Sequence, residues 1–388
     1  MKAGPRSVLA IVLALTAGCG STESAKSDWR AVQGSSAWRE VATTPETCND
    51  CLHFTEIAEL GDTAGDGMHN ESHWATVDSR GNYWIGDVDG PRVYGSDGRF
   101  KHKVGRAGQG PLEFAAAGPI FTDSSGNVHV LDPRNRRESV VAPDFSLVKD
   151  GPLPPGWVYE ALPIPGTPLS LVSAVFHTAD LLGYPLHIAH GAELVKSFGM
   201  KQSGLQMVST LPLLRRLAIA PSGEFFSAGY FDYVVEAWTQ EGRRISGWKR
   251  PGLWNPPPDG VPQPLGASSP PGGLFVAMRV DQADRLWTIT WVPRENWKDN
   301  MREVELPDGT VSYQPTRGNA SMYTTAVEVI DLASGEILAR SELDERVEGF
   351  LGEDRMYGNR LDKQDVPRLV VWRITSSGRL AESGGRVP

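Results

Sequence analysis

Short alternations of apolar and polar residues, each broken by a glycine-containing turn, recur along most of the chain. Two of them are closely similar: VDSRGNYWIGD at residues 77–87 and TDSSGNVHVLD at residues 122–132, in which five residues recur at an offset of 45 positions. Alternation predicts a β-strand with one buried face, and the Asp-Ser-x-Gly-Asn segment predicts a tight turn. Each segment therefore predicts a strand, a turn and a second strand.

Weaker copies of this unit follow at residues 220–229, 281–290 and 351–360. A second hairpin comes after each copy, so one unit has four strands, and residues 168–198 fit a sixth, degenerate unit by their spacing. Six such units predict an all-β protein, a six-bladed β-propeller of four-stranded antiparallel blades over residues 51–380. A ring-bearing side chain stands three positions after the turn residue in five copies, which predicts one repeated packing position: Trp84, His129, Phe226, Trp287 and Tyr357.

A glycine-rich segment, KVGRAGQGPLEF at residues 103–114, lies between the first two copies. It lacks the Lys that follows the last glycine of a phosphate-binding P-loop, and it opens no amphipathic helix of the kind that a dinucleotide fingerprint requires. An echo, LGDTAGDG at residues 60–67, precedes the first copy. We therefore predict a structural joint that carries the chain from the outer strand of one blade to the inner strand of the next. Its residues are Gly105, Gly108, Gly110, Pro111, Glu113 and Phe114, with Glu113 fixing it by hydrogen bonds and Phe114 by burial.

The joint and the strand after it resemble the six-bladed propeller proteins of the NHL and TolB-like type, which are common among bacterial lipoproteins. Their glycine-rich joint ending in G-P-x-E-F is matched by Gly105 to Phe114, and their D-x-x-G-x-hydrophobic-x-V-x-D repeat by Asp123, Gly126, Val130 and Asp132. The match covers about residues 60–150 and is faint elsewhere. The resemblance implies the fold and leaves the activity open.

The amino terminus has the features of an export signal. Lys2 and Arg6 precede an apolar run at residues 8–18, which ends at Cys19 and is too short to span a bilayer stably. This predicts a lipoprotein signal over residues 1–18 with Cys19 lipidated, the alternative being an ordinary secreted protein. We expect a flexible linker over 19–50, a C-terminal tail over 381–388, and a cell-envelope location facing the periplasm or the cell exterior.

The formal net charge of −9 argues against a nucleic-acid partner, because phosphate binding needs clustered Lys and Arg. Cys48 and Cys51 in CNDC favour an intramolecular disulfide outside the cytoplasm. Two alternatives remain open: a redox-active pair, and a zinc site completed by His69 and His73.

The topology of an up-and-down blade places the joints and the loops between second and third strands on one face, where the long segments 251–273 and 293–322 also fall. We predict that this face binds a protein, peptide or carbohydrate partner without catalysis, and that no cofactor is needed. The candidate residues on it are Asp87, Asp89, Arg92, Asp132, Arg134, Arg136, Trp254, Trp291, Arg294 and Trp297. The simpler interpretation is that the aspartates cap strand ends, that the charges pair locally, and that the tryptophans cover the channel opening.

The competing function is a metal-dependent hydrolase of the lactonase type, or a lyase, acting at the axial opening with a metal such as Ca²⁺. It predicts at least three Asp, Asn, Glu or His side chains that converge on one axial point. The chain shows no G-x-S-x-G motif and no convincing Ser/His/Asp set, so we assign no catalytic residue.

Overall fold

In the part of the chain that the structure describes, six β-sheets of four or five strands are arranged in a ring, with two further two-stranded sheets, which confirms the predicted six-bladed propeller. The computed structural model describes residues 38–378 and 380, except residues 63, 155, 177, 179, 200–212, 251–269, 306–310 and 316–318. The N-terminal segment supplies β1 (Trp38–Glu40), β2 (Ala42–Cys48) and β3 (Leu52–Leu60), which join the ring at its outer edge.

The first three blades follow one another along the chain. Blade 1 contains β4 (Ala75–Val77), β5 (Tyr83–Ile85), β6 (Arg92–Tyr94) and β7 (Phe100–Lys103), and the joint after it contains the short strands β8 (Arg106–Ala107) and β9 (Glu113–Phe114). Blade 2 contains β10 (Ile120–Thr122), β11 (Val128–Asp132), β12 (Arg137–Val141) and β13 (Leu147–Pro152). Blade 3 contains β14 (Trp157–Pro163), β15 (Ser170–Val175), β16 (Leu186–His190) and β17 (Glu193–Phe198). The degenerate unit expected at residues 168–198 therefore begins earlier, at Trp157.

The other three blades complete the ring. Blade 4 contains β18 (Arg215–Ile219), β19 (Phe225–Gly229), β20 (Val234–Trp238) and β21 (Arg244–Lys249). Blade 5 contains β22 (Leu274–Val280) and β23 (Arg285–Pro293), then an inserted hairpin of β24 (Met301–Glu305) and β25 (Val311–Pro315), then β26 (Tyr323–Asp331) and β27 (Glu336–Leu343). Blade 6 contains β28 (Arg346–Leu351), β29 (Arg355–Leu361) and β30 (Pro367–Ser376). Single-turn 3₁₀ helices occur at Gly65–Gly67, Trp297–Asn300 and Asn319–Met322.

The chain closes its own ring, because β3 is the outer strand of blade 6. It pairs antiparallel with β30, from Leu52 opposite Ser376 to Leu60 opposite Leu369. This pairing joins the two ends of the chain and satisfies the backbone groups of the last blade's outer edge.

The strands β1 and β2 correct one predicted boundary. β1 pairs in parallel with β21, and β2 pairs in parallel with β27, so blades 4 and 5 each gain a fifth strand. The linker that we predicted over residues 19–50 therefore does not extend through Trp38–Cys48. The polar composition of this segment suits an outer edge that faces solvent on one side.

The core consists of six apolar clusters, each between two neighbouring blades. The repeated rings occupy these interfaces: Trp84, Phe226, Trp287 and Tyr357 are at most 5% exposed. In blades 1 and 5 the indole N–H of the ring donates to an aspartate six residues earlier, at 2.9 Å in both cases, from Trp84 to Asp78 and from Trp287 to Asp281. In blade 2 the ring of His129 takes the same place beside Asp123, at 3.2 Å. The rings thus hold the repeated packing position that the sequence predicts.

Two faces of the ring differ in their connections. We call the face with the blade-to-blade connections and the loops between second and third strands the joint face, and the face with the tight turns the turn face. Each inner strand, β4, β10, β14, β18, β22 or β28, runs from the joint face to the turn face along the central channel.

Candidate binding sites around the central channel

The glycine-rich joint folds around the side chain of Glu113. Its carboxylate accepts hydrogen bonds from the backbone N–H groups of Gln109 (3.0 Å) and Gly110 (2.7 Å) and from the guanidinium of Arg106 (2.6 and 2.8 Å). The hydrogen bond from Gly110, followed by that from Arg106, lowers the pKa of Glu113. The backbone amides that would cradle a phosphate are therefore bound by the chain's own carboxylate.

Other contacts of the joint position blade 2 beside blade 1. Phe114 is 1% exposed and packs in the cluster between these blades. Gly105 has a φ of 77°, and a Cβ there would lie 2.2 Å from the carbonyl oxygen of Leu112, so no other residue fits without a shift of the backbone. Gly108 (φ 152°) accepts a hydrogen bond at its carbonyl from Asn135 Nδ2 at 2.8 Å. Between Gly110 and Glu113 the chain turns at Pro111 and Leu112.

The aspartates at the ends of the second strands latch the joints. Asp87 accepts from the backbone N–H of Asn70 at 3.0 Å, and Asp132 accepts from the backbone N–H of Ala115 at 2.7 Å, each partner lying 17 residues earlier. Asp132 also accepts from the backbone N–H of Asn135 at 3.0 Å. Both aspartates are at most 5% exposed. Their oxygens are occupied by the chain, which fits a capping role and does not bring them together as metal ligands.

The predicted charged residues divide into paired and exposed groups. Arg92 is buried, donates to the carbonyl oxygens of Met68 (3.1 Å) and Gly90 (2.8 Å), and pairs with Asp89. Arg134 and Arg136 are exposed on the joint face of blade 2, where a partner could reach them.

Two of the predicted tryptophans, Trp291 and Trp297, lie within the described residues, and both are buried. Trp291 is 5% exposed and donates from its indole N–H to the carbonyl oxygen of Val347 at 2.8 Å, and Trp297 is 6% exposed. Arg294 forms an ion pair with Asp344. Both rings are buried in blade 5 and its inserted segment, so their contacts are with the protein itself; Trp254 lies outside the described residues.

The central channel holds a cavity of about 310 Å³ that is lined by the inner strands of all six blades. The side chains that line its joint-side half include those of His73, Glu160, Arg216 and Glu348, which we call the mouth group. No sequence motif marks them, because each is a single residue on an inner strand or the joint before it, and only ring closure brings them to one cavity.

Glu160 and Arg216 face each other in this cavity with incomplete hydrogen bonding. Glu160 Oε1 accepts from the backbone N–H of Leu217 at 3.3 Å, while Oε2 lies 3.7 Å from Arg216 Nη1. Among the described residues, Glu160 Oε2 and Arg216 Nε have no hydrogen-bond partner, although both atoms are buried. Burial raises the pKa of Glu160 to about 7, and the charge of Arg216 offsets only part of this effect. The Arg216 guanidinium also lies over the ring of Tyr230, at 5.1 Å.

Glu348 is, by contrast, fully engaged. It contacts His73 Nδ1 at 2.9 Å and Arg346 Nε at 2.5 Å, and it accepts from Asn359 Nδ2 at 3.2 Å. Burial alone would raise the pKa of Glu348, but His73 and Arg346 more than compensate and the pKa is lowered. His73 remains about half exposed and marks the edge of the mouth.

Metal ligands and the two cysteines were the remaining sequence expectations. Within the residues that the structure describes, no group of three or more His, Cys, Asp or Glu side chains is placed to hold a metal ion. Cys48 and Cys51 are bonded to each other, with a Cα–Cα distance of 5.6 Å, at the passage from blade 5 to blade 6. His69 is buried and hydrogen-bonds to the backbone of Asn70 instead.

Comparison with known proteins identifies the fold. No protein-family model and no curated protein matches the chain. Among solved structures, a Bacteroides fragilis protein described as exported superposes with a TM-score of 0.57 at 10% identity, over 88% of this chain and 99% of that one. Virginiamycin B lyase from Staphylococcus aureus superposes with a TM-score of 0.45 at 12% identity, over 82% of this chain and 99% of its own. At 10% identity, the similarity to the Bacteroides fragilis protein shows a common fold.

In the described ranges, no helix combines the length and the apolar character that a bilayer span requires. Residues 1–37, with the apolar run and Cys19, lie outside these ranges.

Proposed function

We propose that this protein is a non-catalytic binding propeller that captures a protein or peptide partner at the joint face, with one polar group of the partner inserted into the channel mouth. The observation that carries this proposal is the pair of Glu160 and Arg216. A buried acceptor and a buried donor without hydrogen-bond partners are costly, and a ligand that supplies both would remove the cost.

The chemistry of Glu160 and Arg216 limits which chemical group of the partner can be inserted. It must donate to Glu160 Oε2 and accept from Arg216 Nε, which a side-chain or terminal amide does with one planar group. Carbohydrate is less well supported, because Trp291 and Trp297 use their rings inside the protein. We propose no chemical step at the mouth, because the second carboxylate there, that of Glu348, is held by His73, Arg346 and Asn359.

The surroundings of the mouth suit a macromolecular partner. Arg134 and Arg136 are exposed on the same face, and the hairpin of β24 and β25 extends the joint face of blade 5, with Val311 57% exposed. Long connections on one face of a rigid scaffold are where binding surfaces usually occur.

The proposal is tested by selecting a phage-displayed random peptide library on the purified protein and measuring the affinity of the selected peptides. Arg216→Gln and Glu160→Gln should each weaken them about tenfold or more, because the substitution leaves a buried charge unpaired. The matched control is Arg373→Gln, which changes an exposed guanidinium on β30. Peptides that bind all four proteins equally, or turnover of a lactone or ester panel that depends on an added divalent metal, would contradict the proposal.

We also propose that the chain is exported and anchored through Cys19. The basic start, the apolar run and the Cys48–Cys51 disulfide, which suits an oxidising compartment, support this. Palmitate labelling of the expressed protein tests it, with Cys19→Ser as the control. Equal labelling of both proteins, or labelling of neither, would contradict the lipid anchor.

A further inference from the structure

A second charged side chain lies at the opposite end of the channel. Arg279 is the next-to-last residue of the inner strand β22, so the direction of that strand places it toward the turn face, whereas Arg216 stands near the start of β18 on the joint side. Both line the same cavity of about 310 Å³. Arg279 therefore lies apart from the mouth group, and a site at Arg279 is separate from the proposed function.

Two aromatic rings position the guanidinium of Arg279. Its Cζ lies 4.3 Å from the ring centre of Trp287 in blade 5 and 5.1 Å from that of Phe350 in blade 6. Trp287 is itself fixed by the hydrogen bond from its indole N–H to Asp281. Ring contacts of this kind use the flat face of a guanidinium and leave its in-plane N–H donors for another group.

Within the part of the chain that the structure describes, those donors meet no acceptor. Nε of Arg279 is buried without a hydrogen-bond partner, and the guanidinium forms no ion pair there. Asp281 is nearby, but its Oδ2 accepts from Arg285 Nε at 2.7 Å and from the indole of Trp287 at 2.9 Å, and its Oδ1 accepts from the backbone N–H groups of Ala283 and Arg285. Burial lowers the pKa of Arg279 to about 10, so the side chain stays charged at neutral pH. A buried charge without a counterion is expensive.

The surroundings indicate what kind of counterion fits. The cavity wall near Arg279 is apolar, with Met278 and Val280 on its own strand, Ile219 on β18 and Phe350 on β28. A guanidinium with free in-plane donors binds a carboxylate through two parallel hydrogen bonds. An apolar wall beside it favours a ligand with an apolar body.

We propose that Arg279 is the anion-binding residue of a second site, which takes a small carboxylic acid with an apolar body at the turn-face end of the channel. The carboxylate lies in the plane of the guanidinium, and the apolar body lies against Ile219 and Phe350. Two exposed carboxylates of the protein, those of Glu353 and Asp354, raise the pKa of Arg279 through their charge, and Glu353, which has the larger effect, is the main internal competitor.

Calorimetric titration of the purified full-length protein with acetate, butyrate and hexanoate, and with inorganic phosphate, tests this site. Affinity should rise from acetate to hexanoate, and phosphate should bind more weakly than hexanoate. Arg279→Gln should weaken hexanoate at least tenfold, Arg279→Lys should give an intermediate loss because it keeps the charge without the planar fork, and Arg373→Gln should bind as the unchanged protein does. Glu353→Gln should strengthen binding severalfold by removing the competitor.

Several results would overturn the proposal. One is hexanoate affinity that is equal in the unchanged protein and in both Arg279 variants. Another is stronger binding of phosphate, which would reject the carboxylate class. A third is hexanoate binding that appears only after residues 381–388 are deleted, since the partner of Arg279 would then be the chain's own tail. Thermal unfolding of each variant shows that it is folded, and Arg279→Lys serves if Arg279→Gln is not.

Discussion

The carboxylate of Glu113 accepts a hydrogen bond from the backbone N–H of Gly110 at 2.7 Å, and this contact closes the glycine-rich joint on itself. Glu113→Gln keeps the length of the side chain but removes the charge that holds two backbone amides and Arg106. We expect the midpoint of thermal unfolding to fall by about 2–4 °C. Glu295→Gln, at an exposed glutamate, is the control, and a midpoint equally unchanged in both variants would show that the carboxylate does not fix the joint.

Replacing Asp87 or Asp132, the aspartates that latch the joints, should destabilise the protein more than replacing an exposed aspartate. Asp132→Ala removes a buried carboxylate and leaves the backbone N–H groups of Ala115 and Asn135 without their acceptor, and Asp87→Ala does the same to Asn70. We expect each to lower the free energy of unfolding by about 2–3 kcal/mol, measured by denaturant titration. A loss below about 0.5 kcal/mol in both variants would mean that water replaces the carboxylate without cost and that the latch is not structural.

Glu160 should make stability depend on pH in an unusual direction. Burial raises the pKa of Glu160 to about 7 from an ordinary value of 4.5, so between these values the folded protein keeps a proton that the unfolded chain releases. Stability should therefore fall as the pH rises from about 4.5 to 7, by about 1–3 kcal/mol. Glu160→Gln should remove this part of the pH dependence. Identical curves of unfolding free energy against pH for the two proteins would contradict the raised pKa.

His129 should make stability depend on pH as well, in a neighbouring pH range. Burial alone would lower its pKa, but hydrogen bonds and charge from Glu138 and Asp123 outweigh burial, and the pKa is raised from 6.5. The stabilisation by the protonated ring is complete below pH 6.5 and is lost as the pH rises through the raised pKa. Glu138→Gln should shift the histidine titration, followed by NMR, to lower pH and reduce stability by about 1 kcal/mol below pH 6. An unshifted titration would show that Glu138 does not set this pKa.

The repeats were predictable because their chemistry is local. The Asp-Ser-x-Gly-Asn turn and the ring three residues after its glycine lie within a few positions of each other, and Trp84 and His129 occupy the places that this spacing predicts. The mouth group was not predictable, since His73 and Glu348 are 275 residues apart and meet only when the ring closes. Strand β2 was not predictable either, because its polar sequence ATTPETC pairs along a sheet edge and buries little surface.

The outermost strand of blade 6, residues 52–60, precedes all the other strands of the ring's last blade by about three hundred residues in the chain, and this affects when the ring can close. Residues 52–60 leave the ribosome early, yet their partner strand ends at Ser376, so this half of the seam must wait for nearly the whole chain to be synthesised. Until then the backbone groups of residues 52–60 are unpaired and can pair with another chain. Such a delay suits a polypeptide that is translocated before it folds. Moving residues 38–60 to the carboxyl end of the gene would bring the two halves of the seam close together in sequence, and this shorter separation should speed refolding without altering the final ring.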